Sequence, residues 1–378
     1  MTTAVTAALF VTLAALTSIP AFTKYTSAPI AVTIAYISVL SVMLALYAKL
    51  VRRIMTSRRV GLVSCAVFCL VLATANGVLY PRTRMTPARS SAPDAMIEPA
   101  VRALQGTHPY TNTLFDGAPI SPGPGWIALH APLTTTGAIW LLVPLHLMLA
   151  AWILARHHVT IALAFVTLMM ALPAFLQMSF VGHDLFAVGC AMLTVTLGAW
   201  RDASRGIWRL VGWSVAAGTI ATARAPLAVF VGALALLIGR RDAGNGITFF
   251  GLASSTLLVI HLLVFWWGHS LGLTYQPLHV LARGGNAGVL VMPIGVVLCV
   301  GLALWQWRRG TGATADALMF AWAVVGLPFV IVGIGELLSA TGMDWANWEG
   351  KVYVGFALPL LIGAMLLQLN PQREIDSR

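Results

Sequence analysis

Long apolar runs alternate with short polar stretches along almost the whole chain. Each run approaches the roughly 20 residues that an α-helix needs to cross a bilayer. None shows the alternation of a barrel strand, so the pattern predicts helices. Twelve candidate spans lie near residues 3–22, 29–48, 60–80, 138–155, 159–179, 184–200, 207–223, 225–239, 246–267, 288–307, 316–338 and 352–369.

The runs at 207–223 and 225–239 form the least regular part of this pattern, because only Arg224, Ala225 and Pro226 separate them. Short segments broken at a proline often enter the membrane beside a cavity instead of crossing it. The predicted fold class is all-α: a polytopic membrane helix bundle of about 12 transmembrane helices, forming a single integral-membrane domain over 1–378.

Charged residues are too few for a water-soluble protein of this length. Asp, Glu, Lys and Arg make up 9% of the 378 residues, hydrophobic residues make up 59%, and the mean hydropathy is +0.86. A soluble domain carries roughly 25% charged residues, so the bilayer is the expected solvent. All four cysteines stand inside apolar runs, which disfavours a disulfide framework or a zinc site.

The formal net charge of +11 reflects short basic clusters between the apolar runs. No basic face with interleaved aromatic residues is present, so we expect no nucleic-acid partner. With a cytoplasmic N-terminus, 15 of the 23 lysines and arginines fall on the inner side, as the positive-inside rule requires. We predict a multi-pass protein of the cell inner membrane with both termini cytoplasmic, and a first run that is retained as a span rather than cleaved as a signal peptide.

The acidic residues show the opposite bias. In this topology, six of them lie at outer loops or outer helix ends, namely Asp94, Glu98, Asp116, Asp184, Asp344 and Glu349. Ionisable groups at a membrane boundary are costly and indicate function. The working surface is therefore predicted to be extracytoplasmic.

The first long outer loop, residues 81 to about 137, is the longest polar segment of the chain. After Pro93, the sequence DAMIEPAVRALQG has the apolar spacing of a short amphipathic helix that starts near Asp94 and ends before Gly106. The turn sequence GTHPY, with His108 and Tyr110, and the rigid segment SPGPGW follow it. Taken alone, Asp94 is explained more simply as a helix N-cap, and His108 as a solvated loop histidine.

This order of features resembles the GT-C superfamily, integral-membrane glycosyltransferases that use polyprenyl-phosphate sugars as donors. The resemblance is to the mannosyltransferase-like and aminoarabinose-transferase-like branches, and it covers roughly residues 60–240. Members usually place the acidic loop after their first span, whereas here it follows the third. The chain would then divide into an extra helix pair (1–58), a GT-C-like module (59–240) and C-terminal helices (241–378). The matching residues are Asp94, Gly106, His108, Pro109, Tyr110 and the run Pro119 to Pro124.

The resemblance implies an inverting transfer of a sugar to a lipid-linked or envelope glycan acceptor on the extracytoplasmic face. Asp94 would be the catalytic base, and Arg224 would bind the donor phosphate, since a guanidinium meets phosphate oxygens in pairs. No cofactor is implied, although a carboxylate-bound divalent metal stays open. The expected partners are the donor, the acceptor and membrane lipids. The implied substrate-binding residues are His108, Tyr110, His183, Asp184 and His279.

Simpler explanations of these residues stay open at the level of sequence. Asp184 stands where a helix N-cap is expected, and Arg224 suits an interfacial arginine that snorkels to the headgroups. The aromatic residues of the last third, such as Trp345 and Trp348, suit either an interfacial belt or a surface on which sugar rings stack.

Two other classes of function also fit the sequence. Twelve spans with a broken pair are compatible with a multi-pass transporter or flippase of a lipid-linked or amphipathic substrate. However, no inverted repeat is visible, and Glu336 is the main charge within an apolar run. An outer-face polymerase or acyltransferase acting on lipid-linked saccharides is the third class.

Overall fold

The computed structural model describes residues 2–50, 57–86, 89–272, 313–339 and 350–370, together with positions 276, 297–298, 300–302, 304–305, 307–308, 345 and 348. Within them, all regular structure is helical, and the fold is all-α. The helices are α1 (Thr3–Tyr25), α2 (Pro29–Leu50), α3 (Arg58–Arg84), α4 (Asp94–Leu104), α5 (Pro124–Thr135), α6 (Leu142–Ala155), α7 (Val159–Met170), α8 (Pro173–Phe180), α9 (Leu185–Asp202), α10 (Ile207–Ala221), α11 (Ala228–Gly239), α12 (Ala243–Ser270), α13 (Thr314–Ser339), α14 (Lys351–Gly355) and α15 (Leu358–Gln368).

Six helical segments of the described chain are long and apolar enough to cross a membrane: α1, α2, α3, α12, α13 and the stretch formed by α14 and α15. Two further candidates are bent pairs. Helices α5 and α6 meet at 118°, and α7 and α8 meet at 74°. The described structure therefore gives six to eight candidate spans. The apolar runs at 207–223 and 225–239 become the short helices α10 and α11, and most of the run at 288–307 lies outside the described residues.

Helix α9 lies at the centre of the bundle. Sixteen of its eighteen residues are buried, and it packs against α6, α10, α11, α13 and α15. A Cβ added at Gly189 would lie 1.9 Å from the carbonyl oxygen of Phe356. The absence of a side chain there allows α9 to contact the backbone between α14 and α15.

The outer surfaces of α2 and α12 are strongly apolar. Exposed positions include Ile34 and Val42 on α2, and Leu258, Leu263 and Trp266 on α12. A soluble protein rarely exposes such continuous apolar helix faces, whereas lipid tails solvate them well. The exposed surface thus agrees with the composition in indicating a membrane protein.

The segment at 81–137, predicted to be one long loop with a short amphipathic helix, contains the two helices α4 and α5. Helix α3 continues through Pro81 to Arg84, and α4 occupies the position of the predicted amphipathic helix, with Met96 and Ala100 buried. The segment SPGPGW was predicted to be a rigid approach to the fourth span, but its last three residues begin helix α5. Pro124 stands at the start of α5, where its fixed φ and missing N–H favour helix initiation, and the apolar sequence after it continues the helix.

Candidate functional site

A buried ion pair joins Asp184 and Arg224. The guanidinium donates from Nη2 to Oδ1 at 2.8 Å and from Nη1 to Oδ2 at 3.1 Å. Asp184 is 1% exposed and Arg224 is 9% exposed, so both charges lie inside the protein. Burial of two charges is tolerated when the geometry is bidentate and further hydrogen bonds satisfy the remaining atoms. The sequence placed both residues in the site but did not pair them.

Interruptions between helices bring the two residues together. Gly182, at φ +76°, ends the turn after α8, and Asp184 occupies the N-cap position of α9. Arg224 lies in extended conformation between α10 and the 3-10 turn Ala225–Leu227. The side chain of Asp184 makes no capping hydrogen bond, and that of Arg224 turns inward to the carboxylate. The structure therefore contradicts both the N-cap and the snorkelling explanations.

Trp126 on α5 completes the coordination of the carboxylate. Its indole Nε1–H donates to Oδ2 of Asp184 at 2.9 Å, and its backbone N–H donates to Oγ1 of Thr222 at 2.8 Å. The start of α5 approaches this part of α10 closely, because a Cβ added at Gly123 would lie 2.0 Å from the carbonyl oxygen of Thr222. Only glycine fits there, so the PGPG sequence positions Trp126 beside the ion pair.

Two buried histidines lie behind Trp126. The Nε2 atoms of His130 and His146 are 2.8 Å apart, and Nδ1 of His130 is 2.9 Å from the carbonyl oxygen of Trp126. One consistent assignment has His130 donating from Nδ1 to that carbonyl and accepting at Nε2 from His146. Nδ1 of His146 is buried and has no hydrogen-bond partner in the part of the chain that the structure describes. We call Trp126, His130, His146, His183, Asp184 and Arg224 the Asp184 cluster.

Asp94 forms a second ion pair, with Arg84 at the end of α3. Arg84 also donates to the carbonyl oxygen of Ser90 at 3.1 Å. The side chain of Asp94 is 9% exposed, and its Oδ2 is buried without a hydrogen-bond partner among the described residues. Asp94 is the first residue of α4 and its side chain does not cap the helix, so the N-cap explanation is wrong here too.

Gly182 connects the surroundings of Asp94 with those of Asp184. A Cβ on Gly182 would lie 2.8 Å from the ring of Tyr80 and 3.4 Å from Cβ of Pro93. Pro93 immediately precedes Asp94, and Gly182 is two residues before Asp184. The loop after α8 is therefore packed against the start of α4, which brings the predicted base and the predicted second polar loop into one region.

His108 and Tyr110 connect the loop after α4 to the rest of the fold. Nε2 of His108 is 3.1 Å from the carbonyl oxygen of Val264 on α12. His108 is therefore buried, whereas the simpler explanation from the sequence was a solvated loop histidine. The hydroxyl of Tyr110 donates to the carbonyl oxygen of Pro122 at 2.9 Å, and Gln276 donates to the carbonyl oxygen of Tyr110 at 2.9 Å. His108 and Tyr110 thus form their hydrogen bonds with other residues of this chain. His279 lies outside the described residues.

The electrostatics of the Asp184 cluster keep the carboxylate charged and the neighbouring imidazole neutral. Burial raises the pKa of Asp184, but the charge of Arg224 and the hydrogen bonds from Arg224 and Trp126 together lower it below its usual value. Burial lowers the pKa of His183 to about 4, with Arg224 and Lys351 adding to the effect and Asp184 opposing it. His183 is therefore uncharged at neutral pH.

The sequence did not identify Arg84, Trp126, His130 and His146 as site residues. Trp126 and His130 stand four residues apart after a proline, a spacing that would have placed them on one face of a helix. Because the segment was assigned to a loop, this helical spacing was not recognised. Arg84 was counted only as a loop cation.

Within the described parts of the chain, no group of three or more His, Cys, Asp or Glu side chains could hold a metal ion. The arrangement that is present defines an all-helical membrane protein with a buried, charged cluster at helix breaks. Comparison with protein-family models, with curated proteins and with solved structures finds no match for this chain. The residues and their geometry therefore carry the functional argument.

Proposed function

We propose that the chain is a glycosyltransferase that moves a sugar from a polyprenyl-phosphate donor to a lipid-linked or envelope glycan acceptor. The observation that carries the proposal is the carboxylate of Asp94, which is nine-tenths buried and has one oxygen to which no described residue donates a hydrogen bond. A general base needs a lone pair that no other donor occupies, on an oxygen held at a fixed position. Arg84 holds one oxygen of Asp94 and leaves the other for an acceptor hydroxyl.

The proposed step is a direct displacement at the anomeric carbon. The acceptor hydroxyl loses its proton to Asp94 as its oxygen bonds to that carbon. The bond from the carbon to the phosphate oxygen breaks, and its electron pair leaves with the polyprenyl phosphate. One displacement inverts the configuration of the sugar carbon.

Arg224 is the proposed contact for the donor phosphate. Its hydrogen bonds to described residues leave one edge of the guanidinium for binding phosphate oxygens. Its Nη1 donates to Asp184 and to the carbonyl oxygen of Ala223, and its Nη2 donates once to Asp184. A guanidinium has five N–H donors, so Nε–H and the second Nη2–H are unused by described residues. These two point along one edge and match a pair of phosphate oxygens. In this arrangement Asp184 and Trp126 position Arg224.

The proposed orientation follows the distribution of charge. Both termini are cytoplasmic, the protein belongs to the cell inner membrane, and the Asp184 cluster and Asp94 face the extracytoplasmic side. Twelve crossings require α9, α10, α11 and the segment around 288–307 to count as spans together with the bent pairs. His108, Tyr110, His183 and His279 remain proposed substrate-binding residues.

The direct test uses the purified chain in proteoliposomes with polyprenyl phosphates that carry a radiolabelled pentose or hexose. Envelope glycolipids extracted from a strain that lacks the chain serve as the acceptor. The proposal expects label in the glycolipid fraction and an equal amount of released polyprenyl phosphate. If every pentose and hexose donor stays intact in the presence of the wild-type chain, the proposal is wrong.

A transporter or flippase is the second candidate, and the bent helix pairs favour it. Helices α5 and α6 meet at 118° and α7 and α8 at 74°, and Trp126 of α5 contacts the charged Asp184. Interrupted helices beside charged groups are typical of substrate sites in secondary transporters. The same proteoliposomes discriminate between the two candidates, since a flippase would move an intact labelled lipid across the bilayer without cleaving it.

A further inference from the structure

A second polar cluster lies at the other end of α9 from Asp184. Asp184 precedes this helix and Asp202 is its last residue. Eighteen residues at 1.5 Å per residue separate the two acids by about 27 Å, close to the thickness of a bilayer hydrocarbon core. In the predicted topology, the cluster around Asp202 faces the cytoplasm.

Three arginines converge on this one buried carboxylate. Nη1 of Arg156 is 3.4 Å from Oδ2 of Asp202, Nη1 of Arg205 is 3.2 Å from Oδ1, and Nε of Arg201 is 3.9 Å from Oδ1. The arginines come from the end of α6, the end of α9 and the 3-10 turn Ala203–Arg205. Helix packing therefore brings three cations to one anion.

The arginines carry more charge and more donors than Asp202 can satisfy. Three guanidinium groups have about fifteen N–H donors, whereas a carboxylate accepts about four hydrogen bonds. Their side chains are 29%, 32% and 47% exposed for Arg156, Arg201 and Arg205. The surplus positive charge and the surplus donors are thus accessible from outside, where they suit a phosphate group.

An apolar stripe on α6 leads to this cluster. Leu145, Leu149 and Trp152 are 46%, 47% and 45% exposed and follow one another at spacings of four and three residues, so they share a helix face. Arg156, four residues beyond Trp152, has its guanidinium 4.0 Å from the centroid of the Trp152 ring. The apolar stripe therefore ends at the cationic cluster.

We propose that this surface binds one anionic phospholipid. Arg156, Arg201 and Arg205 bind the phosphate of the headgroup, and an acyl chain lies along Leu145, Leu149 and Trp152. Charge complementarity selects an anionic headgroup, and the apolar stripe selects a lipid over free phosphate. Cytoplasmic leaflets supply such lipids, and each nearby cation contributes to their attraction.

The test measures lipid binding to the purified full chain in a neutral detergent, by native mass spectrometry and by the lipid-induced shift in melting temperature. The probes are phosphatidylglycerol, phosphatidylcholine with the same acyl chains, and inorganic phosphate. Phosphatidylglycerol is expected to bind and to raise the melting temperature, while the other two have little effect. Each of Arg156→Gln and Arg205→Gln is expected to weaken phosphatidylglycerol binding about five-fold.

Two further variants separate a lipid site from a purely structural ion-pair cluster. Arg58→Gln removes the same charge from an exposed residue at the start of α3, and it is expected to leave lipid affinity within two-fold of wild type. Trp152→Leu changes none of the residues that pair with Asp202 but removes the ring on which the Arg156 guanidinium lies, and it is expected to weaken phosphatidylglycerol binding.

The proposal is overturned if Arg156→Gln and Arg205→Gln lower the lipid-free melting temperature but keep the wild-type lipid shift. It is also overturned if inorganic phosphate reproduces the whole shift, because the site would then bind a free anion. Equal binding of phosphatidylcholine would likewise exclude recognition of an anionic headgroup.

Discussion

Asp184 and Arg224 form a two-point ion pair across the breaks between α8 and α9 and between α10 and α11, with N–O distances of 2.8 and 3.1 Å. Forty residues separate them in sequence. Each residue interrupts an apolar run, and together they satisfy each other's charge inside the bundle. The pair therefore leaves neither charge buried without a counter-charge, and it holds in place the guanidinium that is proposed to bind the donor phosphate.

Replacing Asp184 by Asn should be strongly destabilising. The variant leaves the guanidinium of Arg224 buried without a counter-charge, and loss of one partner of a buried pair costs about 3–5 kcal/mol. The free energy of unfolding in detergent, measured with a denaturant series, checks this. Asp242→Asn is the matched control, because Asp242 is an exposed N-cap of α12 and Asn caps equally well. Equal stability of the two variants would show that the ion pair contributes nothing.

Replacing Trp126 by Phe should remove one hydrogen bond and keep most of the packing. The indole N–H donates to the charged oxygen of Asp184, and such a hydrogen bond contributes about 2 kcal/mol. The same unfolding measurement applies. Trp208→Phe, at an exposed position of α10, should change stability by less than about 0.5 kcal/mol. A Trp126→Phe protein as stable as the wild type would rule out this contribution.

The His130–His146 contact should appear as a coupling energy. Leucine at either position leaves the other imidazole nitrogen buried without its partner, so the double variant should lose less stability than the two single losses combined. A coupling of about 0.5–3 kcal/mol is expected for contacting residues. His146→Leu combined with His158→Leu is the control pair, since His158 lies beyond the far end of α6. Strict additivity of His130→Leu and His146→Leu would contradict the described contact.

His183 should make the stability of the protein depend on pH. Its pKa is lowered to about 4 in the folded protein from 6.5, so the unfolded chain binds more protons between these values. The contribution of His183 to the free energy of unfolding is complete above pH 6.5. It falls as the pH drops toward 4, by at most about 1.4 kcal/mol per pH unit. Unfolding at pH 7.5 and pH 5 should therefore differ more for the wild type than for His183→Gln. The same pH dependence in both proteins would contradict the burial of a neutral His183.

Much of the fold class was predictable because a bilayer imposes long apolar helices on the sequence. The boundaries of α1, α2 and α12 follow their apolar runs closely. Helix α5 was missed because its glycines and prolines indicate a turn, although Pro124 starts a helix and Gly123 permits close packing on α10. Local residue preferences do not reveal such a tertiary contact.

The sequence singled out Asp94, Asp184 and Arg224 of the candidate site, but it did not predict which residues they pair with. Asp184 was identified as an ionisable group at the membrane boundary, where a charge is energetically costly, and Arg224 was identified through the family resemblance. Which residue neutralises which depends on how helices separated in sequence pack together. Arg84 and His146 had no distinguishing local pattern, so only the structure assigns them to Asp94 and His130.

The transfer rate of Asp94→Asn tests the proposed function most directly. The comparison is made in proteoliposomes with a labelled polyprenyl-phosphate sugar, against the wild type and against Glu98→Gln. Glu98 is a second acid on α4, and it pairs with Arg102. Loss of a general base lowers rates by about 10²–10⁴-fold. We predict a loss of that size for Asp94→Asn and a near-normal rate for Glu98→Gln. A normal transfer rate in a folded Asp94→Asn protein would contradict the assignment of Asp94 as the base.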